Sequence, residues 1–260
     1  MYGLVGKSLG HSFSKDYFTE KFSKMNLDFR YENIELDDVC EIVSFVKENK
    51  DLKGFNVTIP YKESIIPFLD SLDETAKEVG AVNTVKVFED GKLKGYNTDV
   101  IGFEKLLETT HKTYNNNALI LGSGGASKAV QYVLKKKNIR FKVASRKTFQ
   151  SGISGEESNI IGYDEINSDG FTPYSMIINT TPVGTFPNCD ECLDLPYSTI
   201  GTYHVFIDLI YNPEETMFLK KARFNGAATY NGMTMLREQA EAAWGIFRIL
   251  EYIKKIYIHG

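Results

Sequence analysis

Two charged residues of the sequence could transfer a proton. Lys62 comes just after "GFNVTIP", an apolar stretch that predicts a strand halted by proline, and Asp99 stands in the first turn of a predicted helix. Ligands of open α/β sheets bind beyond the carboxyl ends of strands, so a partly desolvated Lys62 there could exchange protons near neutrality. We expect Asp99 to pair with Lys62. The simpler alternatives are a solvated lysine and a helix start capped by Asn97 or Thr98.

Four polar side chains stand in settings that suit a small hydroxylated acid. Ser12 and Ser14 flank Phe13 before a predicted helix. Two hydroxyls at a helix N-terminus can seat a carboxylate, although Ser14 could simply be the N-cap. Asn83 interrupts an apolar strand, and Gln239 falls on the apolar face of the last helical segment. A buried amide needs a hydrogen-bond partner, which a polyhydroxylated ligand would supply.

A glycine cluster indicates a nucleotide site. Gly122, Gly124 and Gly125 lie between the apolar strand "ALILG" and a helix, in the pattern G-x-G-G-x-x-x-A that ends at Ala129. Glycine permits a tight turn and a close approach of main-chain N–H groups to a pyrophosphate, and the helix N-terminus adds favourable partial charge. In this strand–turn–helix context the pattern favours dinucleotide binding over a plain tight turn.

Two cations follow the next predicted strand, "RFKVAS", where a dinucleotide-binding unit usually carries an acid. Such an acid accepts hydrogen bonds from the ribose 2′-OH of NAD and would repel a 2′-phosphate. Here Ser145, Arg146 and Lys147 occupy that place. A guanidinium can pair with phosphate oxygens in a bidentate fork, and a lysine adds a point charge. Solvated surface cations are common, but this position favours NADP over NAD.

The surrounding elements predict two α/β domains. The first hundred residues alternate strand and helix patterns and end in a β-hairpin that turns at Asp90-Gly91. We therefore expect a mostly parallel sheet with an antiparallel edge in residues 1–100. The succession of strands and helices over 101–234 predicts a doubly wound, Rossmann-like domain. One or two helices over 235–260 are expected to pack back on the first domain and complete it.

Composition narrows the class of protein. The 260 residues are 42% hydrophobic and 25% charged, with a net charge of −4, which argues against a nucleic-acid or membrane-surface binder. No apolar run approaches the ~20 residues that span a bilayer. The start lacks a secretory signal, so a cytoplasmic location is expected.

Cys189 and Cys192 form a C-x-x-C, but neither a second pair nor a nearby histidine accompanies them, so we predict no metal and a polar surface loop.

Taken together, the motifs resemble one family, the shikimate dehydrogenases. They follow in family order nearly from end to end: "HSFSK", "NVTIPYKE", "AVNT", "YNTDVIG", "LGSGGASKA", "SRK", "NTTPVG", "DLIYNPEET" and "NGMTMLREQA". The resemblance implies NADPH-dependent reduction of 3-dehydroshikimate to shikimate, in the chorismate route to aromatic amino acids. It also implies a monomer or a homodimer.

The resemblance also implies a role for each matching position. Lys62 and Asp99 would be catalytic, Ser12 and Ser14 would hold the substrate carboxylate, and hydroxyls would be bound by Thr58, Asn83, Asp99, Tyr211 and Gln239. The pyrophosphate would lie on Gly122, Ser123, Gly124, Gly125 and Ala126, and the 2′-phosphate on Ser145, Arg146 and Lys147. Leu209 and Gly232 would border the nicotinamide, with Glu74 near it.

The sequence departs from the family pattern in two places. The family's S-P-x-x-H-N reads "SKDYFT" here, which affects how the helix starts but keeps both serines. Its N-R-T reads Ser145-Arg146-Lys147, which exchanges a neutral hydroxyl for a charge and should strengthen the preference for a 2′-phosphate.

Two alternatives remain at this point. A quinate/shikimate dehydrogenase of the same superfamily would use NAD or NADP, and an acid after Val143 would have favoured it. A catalytically silent NADP-binding regulator would be expected to have lost Lys62 or Asp99, and both are present.

Overall fold

A computed structural model describes residues 1–10, 12–110, 117–146 and 159–258, with side chains up to residue 248. The chain forms two compact units. Unit 1 comprises Met1–Ile101 and Gln239–Gly260, and unit 2 comprises Gly102–Glu238.

Unit 1 is built on a six-stranded sheet. Its strands and helices are β1 (Tyr2–Gly6), α1 (Phe13–Lys24), β2 (Tyr31–Glu35), α2 (Ile42–Glu48), β3 (Gly54–Val57), α3 (Tyr61–Ser64), β4 (Ser71–Leu72), α4 (Glu74–Val79), β5 (Thr84–Val87), β6 (Leu93–Tyr96) and the start of α5 (Asp99–Glu108). The strand order is β2-β1-β3-β5-β6-β4. β1 runs parallel to β2 and β3, whereas β5 runs antiparallel to β3 and β6. The predicted hairpin is confirmed, but the sheet edge is the two-residue strand β4, parallel to β6.

The two faces of this sheet carry different cores. Because side chains alternate along a strand, Val5 and Ile34 point into an aliphatic cluster with α2, whereas Tyr2 and Tyr31 point into an aromatic cluster on the other side. The aromatic cluster joins α1 and the last helix of the chain through Phe18, Phe22, Ala240, Ala243, Trp244 and Phe247. The predicted return of the C-terminal segment onto the first domain is confirmed.

Unit 2 has a six-stranded sheet in which every pairing is parallel. Its elements are β7 (Asn117–Leu121), α6 (Gly125–Lys136), β8 (Arg140–Ala144), β9 (Ile160–Ile161), α7 (Tyr163–Asp169), β10 (Met176–Asn179), β11 (Val205–Asp208), α8 (Met217–Phe224) and β12 (Ala228–Tyr230). The order is β12-β11-β10-β7-β8-β9. β7 comes first in the chain and lies between β8 and β10, so the strand order reverses at its carboxyl end. A crevice at such a reversal is where open α/β sheets bind nucleotides.

The final helix, α9, is a single helix over Met233–Ile258. Of the two sequence expectations, one helix or two, the structure therefore has one. Gly245 lies in its interior and costs about 1 kcal/mol of helix propensity. Burial of the neighbouring Trp244 and Phe247 in the aromatic cluster outweighs that cost.

The buried carboxylate of Asp208 ties three elements of unit 2 together. It accepts hydrogen bonds from Asn179 Nδ2 at 3.0 Å, from the main-chain N–H of Ile210 at 3.1 Å and from Thr216 Oγ1 at 2.6 Å. Burial nevertheless raises the pKa of Asp208 to about 6, with the three hydrogen bonds offsetting part of the shift. The carboxyl ends of β10 and β11 and the N-cap of α8 are thus held in register.

The structure can be compared with what the sequence indicated about membrane-spanning helices and about the C-x-x-C loop. In the described ranges no helix combines the length and the apolar character needed to cross a membrane. The C-x-x-C loop is less exposed than predicted: both thiols are partly buried, and Cys192 Sγ lies 2.9 Å from the hydroxyl of Tyr197, against the unit 2 core. Among the described residues no group of three or more potential ligands could hold a metal ion.

We predict that Gly54→Ala destabilises the protein. A Cβ at Gly54 would lie 2.6 Å from Phe247 Cδ1 and 2.9 Å from the main-chain oxygen of Val85. Because the sheet backbone cannot yield, overpacking should lower the free energy of unfolding by about 1–3 kcal/mol. Gly245→Ala is the matched control, since nothing lies within 4 Å of its Cβ and alanine should stabilise the helix. Urea unfolding that found Gly54→Ala as stable as the control would contradict this packing.

We predict that Asp208 makes the protein less stable as pH rises. The folded-state pKa is raised from 3.8 to about 6, so between these values the folded state binds more protons than the unfolded state and the free energy of unfolding falls with pH. Relative to the free energy of unfolding of Asp208→Asn, that of the parent should therefore fall by on the order of 3 kcal/mol between about pH 4 and pH 7. Urea titrations of both proteins across this range measure it. A difference independent of pH would refute the raised pKa.

Candidate active site

The centre of the candidate site in unit 1 is a short ion pair. Lys62 Nζ lies 2.6 Å from Asp99 Oδ2, and the side chains are only 16% and 6% exposed. Lys62 sits in α3, just beyond the carboxyl end of β3, and Asp99 is the first residue of α5. The strand end and the helix start thus bring together two residues 37 positions apart. An ammonium and a carboxylate in hydrogen-bond contact can hold and deliver a proton to a bound group.

Asn83 fixes the orientation of this pair. Its Oδ1 accepts the main-chain N–H of Thr98 at 2.7 Å, and an N–H can only donate. The Nδ2 of Asn83 must therefore face the other way, where it donates to Asp99 Oδ1 at 2.9 Å and to Gln239 Oε1 at 3.3 Å. The two amides that the sequence singled out are thus in contact with each other, and Asn83 also contacts the ion pair. Asn97 caps α5 by accepting the N–H of Val100 at 3.3 Å.

The serine pair lies at the start of α1. Ser12 is the N-cap, with its hydroxyl accepting the N–H of Lys15 at 3.4 Å. The alternative that Ser14 caps this helix is wrong: Ser14 is in the first turn, and its hydroxyl is hydrogen-bonded to Tyr31. Thr58 follows β3, and its N–H donates to Val5 on β1 at 2.9 Å. The ends of neighbouring parallel strands therefore present Thr58 and the segment that leads to Ser12 at one edge of the sheet.

The glycine loop of unit 2 has the geometry of a nucleotide-binding turn. Gly122 has φ +103°, and a Cβ there would lie 2.9 Å from Thr180 Oγ1 and Thr181 Cγ2, so only glycine fits. Gly124 is the N-cap of α6 and makes no side-chain cap, and a Cβ on it would meet nothing within 4 Å. No side-chain cap satisfies the first N–H groups of α6, and the partial positive charge of this helix end suits a pyrophosphate.

The segment after β8 adjoins this loop. Ser145 Oγ lies 3.1 Å from Ser123 Oγ, so the ends of β7 and β8 meet. Ser145 is buried, whereas the adjacent Arg146 is exposed. Arg146 is close enough to Tyr163 to offset part of the rise that burial causes in the pKa of that phenol. An exposed guanidinium beside a glycine turn fits a phosphorylated ribose; Lys147 lies outside the described residues.

Leu209 and Gly232 also lie together in unit 2. A Cβ on Gly232 would overlap the main-chain carbonyl of Leu209, and the N–H of Gly232 donates to Ile210 at 2.9 Å. This close main-chain approach accounts for the glycine. Two candidates lie in a different unit from the other residues with the same predicted role. Tyr211 belongs to unit 2, whereas the other predicted substrate-binding residues belong to unit 1. Glu74 is the first residue of α4 in unit 1, whereas the other predicted coenzyme-binding residues belong to unit 2.

Sequence reasoning gave no role in the site to four side chains that support it. They are Tyr31, Asn56, Thr84 and Thr98, all buried in unit 1 and hydrogen-bonded to site residues or to one another. Asn56 could have been identified from the sequence, because it is an amide within the apolar strand "GFNV". Thr84 could not, since threonine is a common strand residue.

Comparisons with known proteins agree with this architecture. The family profile described as "Shikimate dehydrogenase substrate binding domain" matches residues 4–85. A shikimate dehydrogenase (NADP(+)) of Methanosphaera stadtmanae is 37% identical over 256 residues, which cover 94% of this chain and 90% of that protein.

Two solved structures are similar over nearly the whole chain. Shikimate dehydrogenase 1 from Peptoclostridium difficile has a TM-score of 0.83 at 34% identity and covers 95% of this chain and 91% of its own. A shikimate dehydrogenase crystallised in complex with NADP+ has a TM-score of 0.81 at 33% identity, with coverage of 95% and 88%. The chain belongs to the shikimate dehydrogenase family.

Proposed function

We propose that the protein catalyses the reversible, NADPH-dependent reduction of 3-dehydroshikimate to shikimate. The observation that carries the proposal is the buried contact between Lys62 and Asp99, oriented by Asn83. Family membership supplies the substrate and the coenzyme, and this pair supplies the proton that the reaction needs. A silent NADP-binding regulator would have no use for an ion pair held so closely.

The reaction adds a hydride and a proton across a ketone. NADPH, when bound, supplies the hydride to the carbonyl carbon. Lys62 donates a hydrogen bond to the carbonyl oxygen, stabilises the negative charge that develops there and passes a proton to it, which completes the alcohol. Asp99 holds the Lys62 amine in place through the contact at 2.6 Å. In the reverse direction Lys62 accepts the alcohol proton, so the same pair serves both directions.

The substrate would be held by the polar residues that the resemblance assigns. Ser12 and Ser14 at the α1 N-terminus suit the carboxylate, because hydroxyls and the helix end favour an anion there. The ring hydroxyls would be bound by Thr58, Asn83, Asp99, Tyr211 and Gln239. We also propose that residues 1–100 with 235–260 form the substrate domain and that 101–234 form the NADP domain.

The coenzyme would be bound by unit 2. Gly122 to Ala126 would hold the pyrophosphate on the α6 N-terminus, and Ser145, Arg146 and Lys147 would hold the 2′-phosphate. Leu209 and Gly232 would border the nicotinamide, with Glu74 also near it. The cytoplasmic location and the choice between monomer and homodimer stay predictions from the sequence.

We predict that Lys62→Ala lowers kcat by about 10²–10⁴-fold, because the variant loses its proton donor. Binding of 3-dehydroshikimate, measured by titration calorimetry, should stay largely intact. Lys24→Ala is the control, since Lys24 is 72% exposed and pairs only with its helix neighbour Glu20 among the described residues. A near-normal kcat for Lys62→Ala would remove Lys62 from the mechanism.

We predict that Arg146→Ala raises the KM for NADPH far more than the KM for NADH. Loss of a bidentate guanidinium matters only where a 2′-phosphate is present. The matched control is Arg140→Ala, an exposed arginine at the opposite end of the same strand, which should change neither KM. Steady-state kinetics with both coenzymes measure the effect. Equal increases in the KM values for NADPH and NADH would show that Arg146 does not bind the 2′-phosphate.

A further inference from the structure

The ion pair of unit 1 is the end of a longer buried chain of hydrogen bonds. Asn83 donates to Asp99 and stands beside Thr84, whose Oγ1 lies 3.2 Å from Asn83 Oδ1. The same Thr84 oxygen accepts from Asn56 Nδ2 at 3.0 Å. Asn56 Oδ1 in turn accepts from the Tyr31 hydroxyl at 2.8 Å. The chain thus runs from Tyr31 on β2 to the start of α5.

The direction of these bonds is determined at Asn56. Its Nδ2 lies 3.2 Å from the main-chain oxygen of Asn83, which can only accept, so Nδ2 faces Asn83 and Oδ1 faces Tyr31. Tyr31 must therefore donate to Asn56. Burial raises the pKa of Tyr31, against a smaller opposing effect of its hydrogen bond with Ser14, so the phenol keeps the proton that it donates.

Thr84 is the one described side chain that is hydrogen-bonded to both amides, Asn56 and Asn83. It is fully buried, and its hydroxyl also lies 3.2 Å from Thr98 Oγ1. A hydroxyl can accept from Asn56 while donating to Asn83 or Thr98, which no aliphatic side chain can do. The next residue along β5, Val85, points the other way into the aliphatic cluster.

We propose that Thr84 is a positioning residue of the reaction. Together with the main-chain N–H of Thr98, its hydroxyl holds the Asn83 amide with Nδ2 toward Asp99 and Gln239, and so aligns the carboxylate that orients Lys62. Thr84 is fully buried and is linked to the site through Asn56, Asn83 and Thr98, so we assign it a positioning role and not a catalytic one. The inference rests on the proposed function, because it explains how unit 1 keeps the substrate-facing amide and the ion pair in one fixed arrangement before a ligand arrives.

The test compares Thr84→Val, which keeps the shape and loses the hydroxyl, with Thr84→Ser, which keeps the hydroxyl and loses the methyl. For Thr84→Val we expect the Kd for shikimate, measured by calorimetry without coenzyme, to rise about tenfold and kcat to fall by a similar factor. Thr84→Ser should restore both to within about threefold of the parent. The Kd for NADP should not change in either variant, since unit 2 is untouched. Thr84→Ala repeats the comparison with a smaller side chain should valine not be accommodated.

A control separates positioning from general stability. Val85→Ala removes core packing one residue away and should lower Tm while leaving the Kd for shikimate unchanged. Parental values for the hydroxyl-free variants would overturn the inference. The inference would also be overturned if Thr84→Ser had the same Kd for shikimate and kcat as Thr84→Val, or if Val85→Ala lost shikimate binding to the same extent. A parent protein inactive on shikimate with NADP would instead overturn the proposed function, and this inference with it.

Discussion

The account depends on one electrostatic contact, the ion pair between Lys62 Nζ and Asp99 Oδ2 at 2.6 Å. Two largely buried charges need additional hydrogen bonds to remain favourable, because removal from water is costly. Asn83 supplies one to Asp99, and its own orientation follows from the main chain of Thr98. The position of the Lys62 amine is therefore determined by backbone geometry at the start of α5 rather than by a flexible side chain alone.

Unit 2 relies on a different constraint, the close packing of neighbouring residues against two glycines in the loops that follow its strands. Gly122 and Gly232 leave no room for a Cβ, because Thr180, Thr181 and the Leu209 carbonyl lie against them. The buried Asp208 holds the neighbouring strand ends in register at a cost in stability near neutral pH. The N-terminus of α6, the serines that follow β7 and β8 and the exposed Arg146 lie in this part of unit 2, and such groups are suited to phosphates.

Much of this could be predicted from the sequence where a local pattern carries the information. The strand "ALILG", the glycines after it and the contact of Lys62 with Asp99 follow from apolar runs and from the place of residues at strand ends. The cap of α1 was not decidable, because Ser12 and Ser14 are equally good cap residues and the path of the chain from β1 chooses between them. The proposed role of Thr84 could not be predicted, since it depends on Asn56 and Thr98, which are distant in sequence, as well as on the adjacent Asn83.

The most direct test of the central claim is a steady-state assay of the purified protein with shikimate or quinate, each with NADP or NAD. The account predicts that kcat/KM is highest for shikimate with NADP, because the proposed role of the buried Lys62–Asp99 pair is proton transfer at a ring hydroxyl and that of the exposed Arg146 is binding of the 2′-phosphate. No shikimate-dependent reduction of NADP, or a clear preference for quinate with NAD, would contradict it.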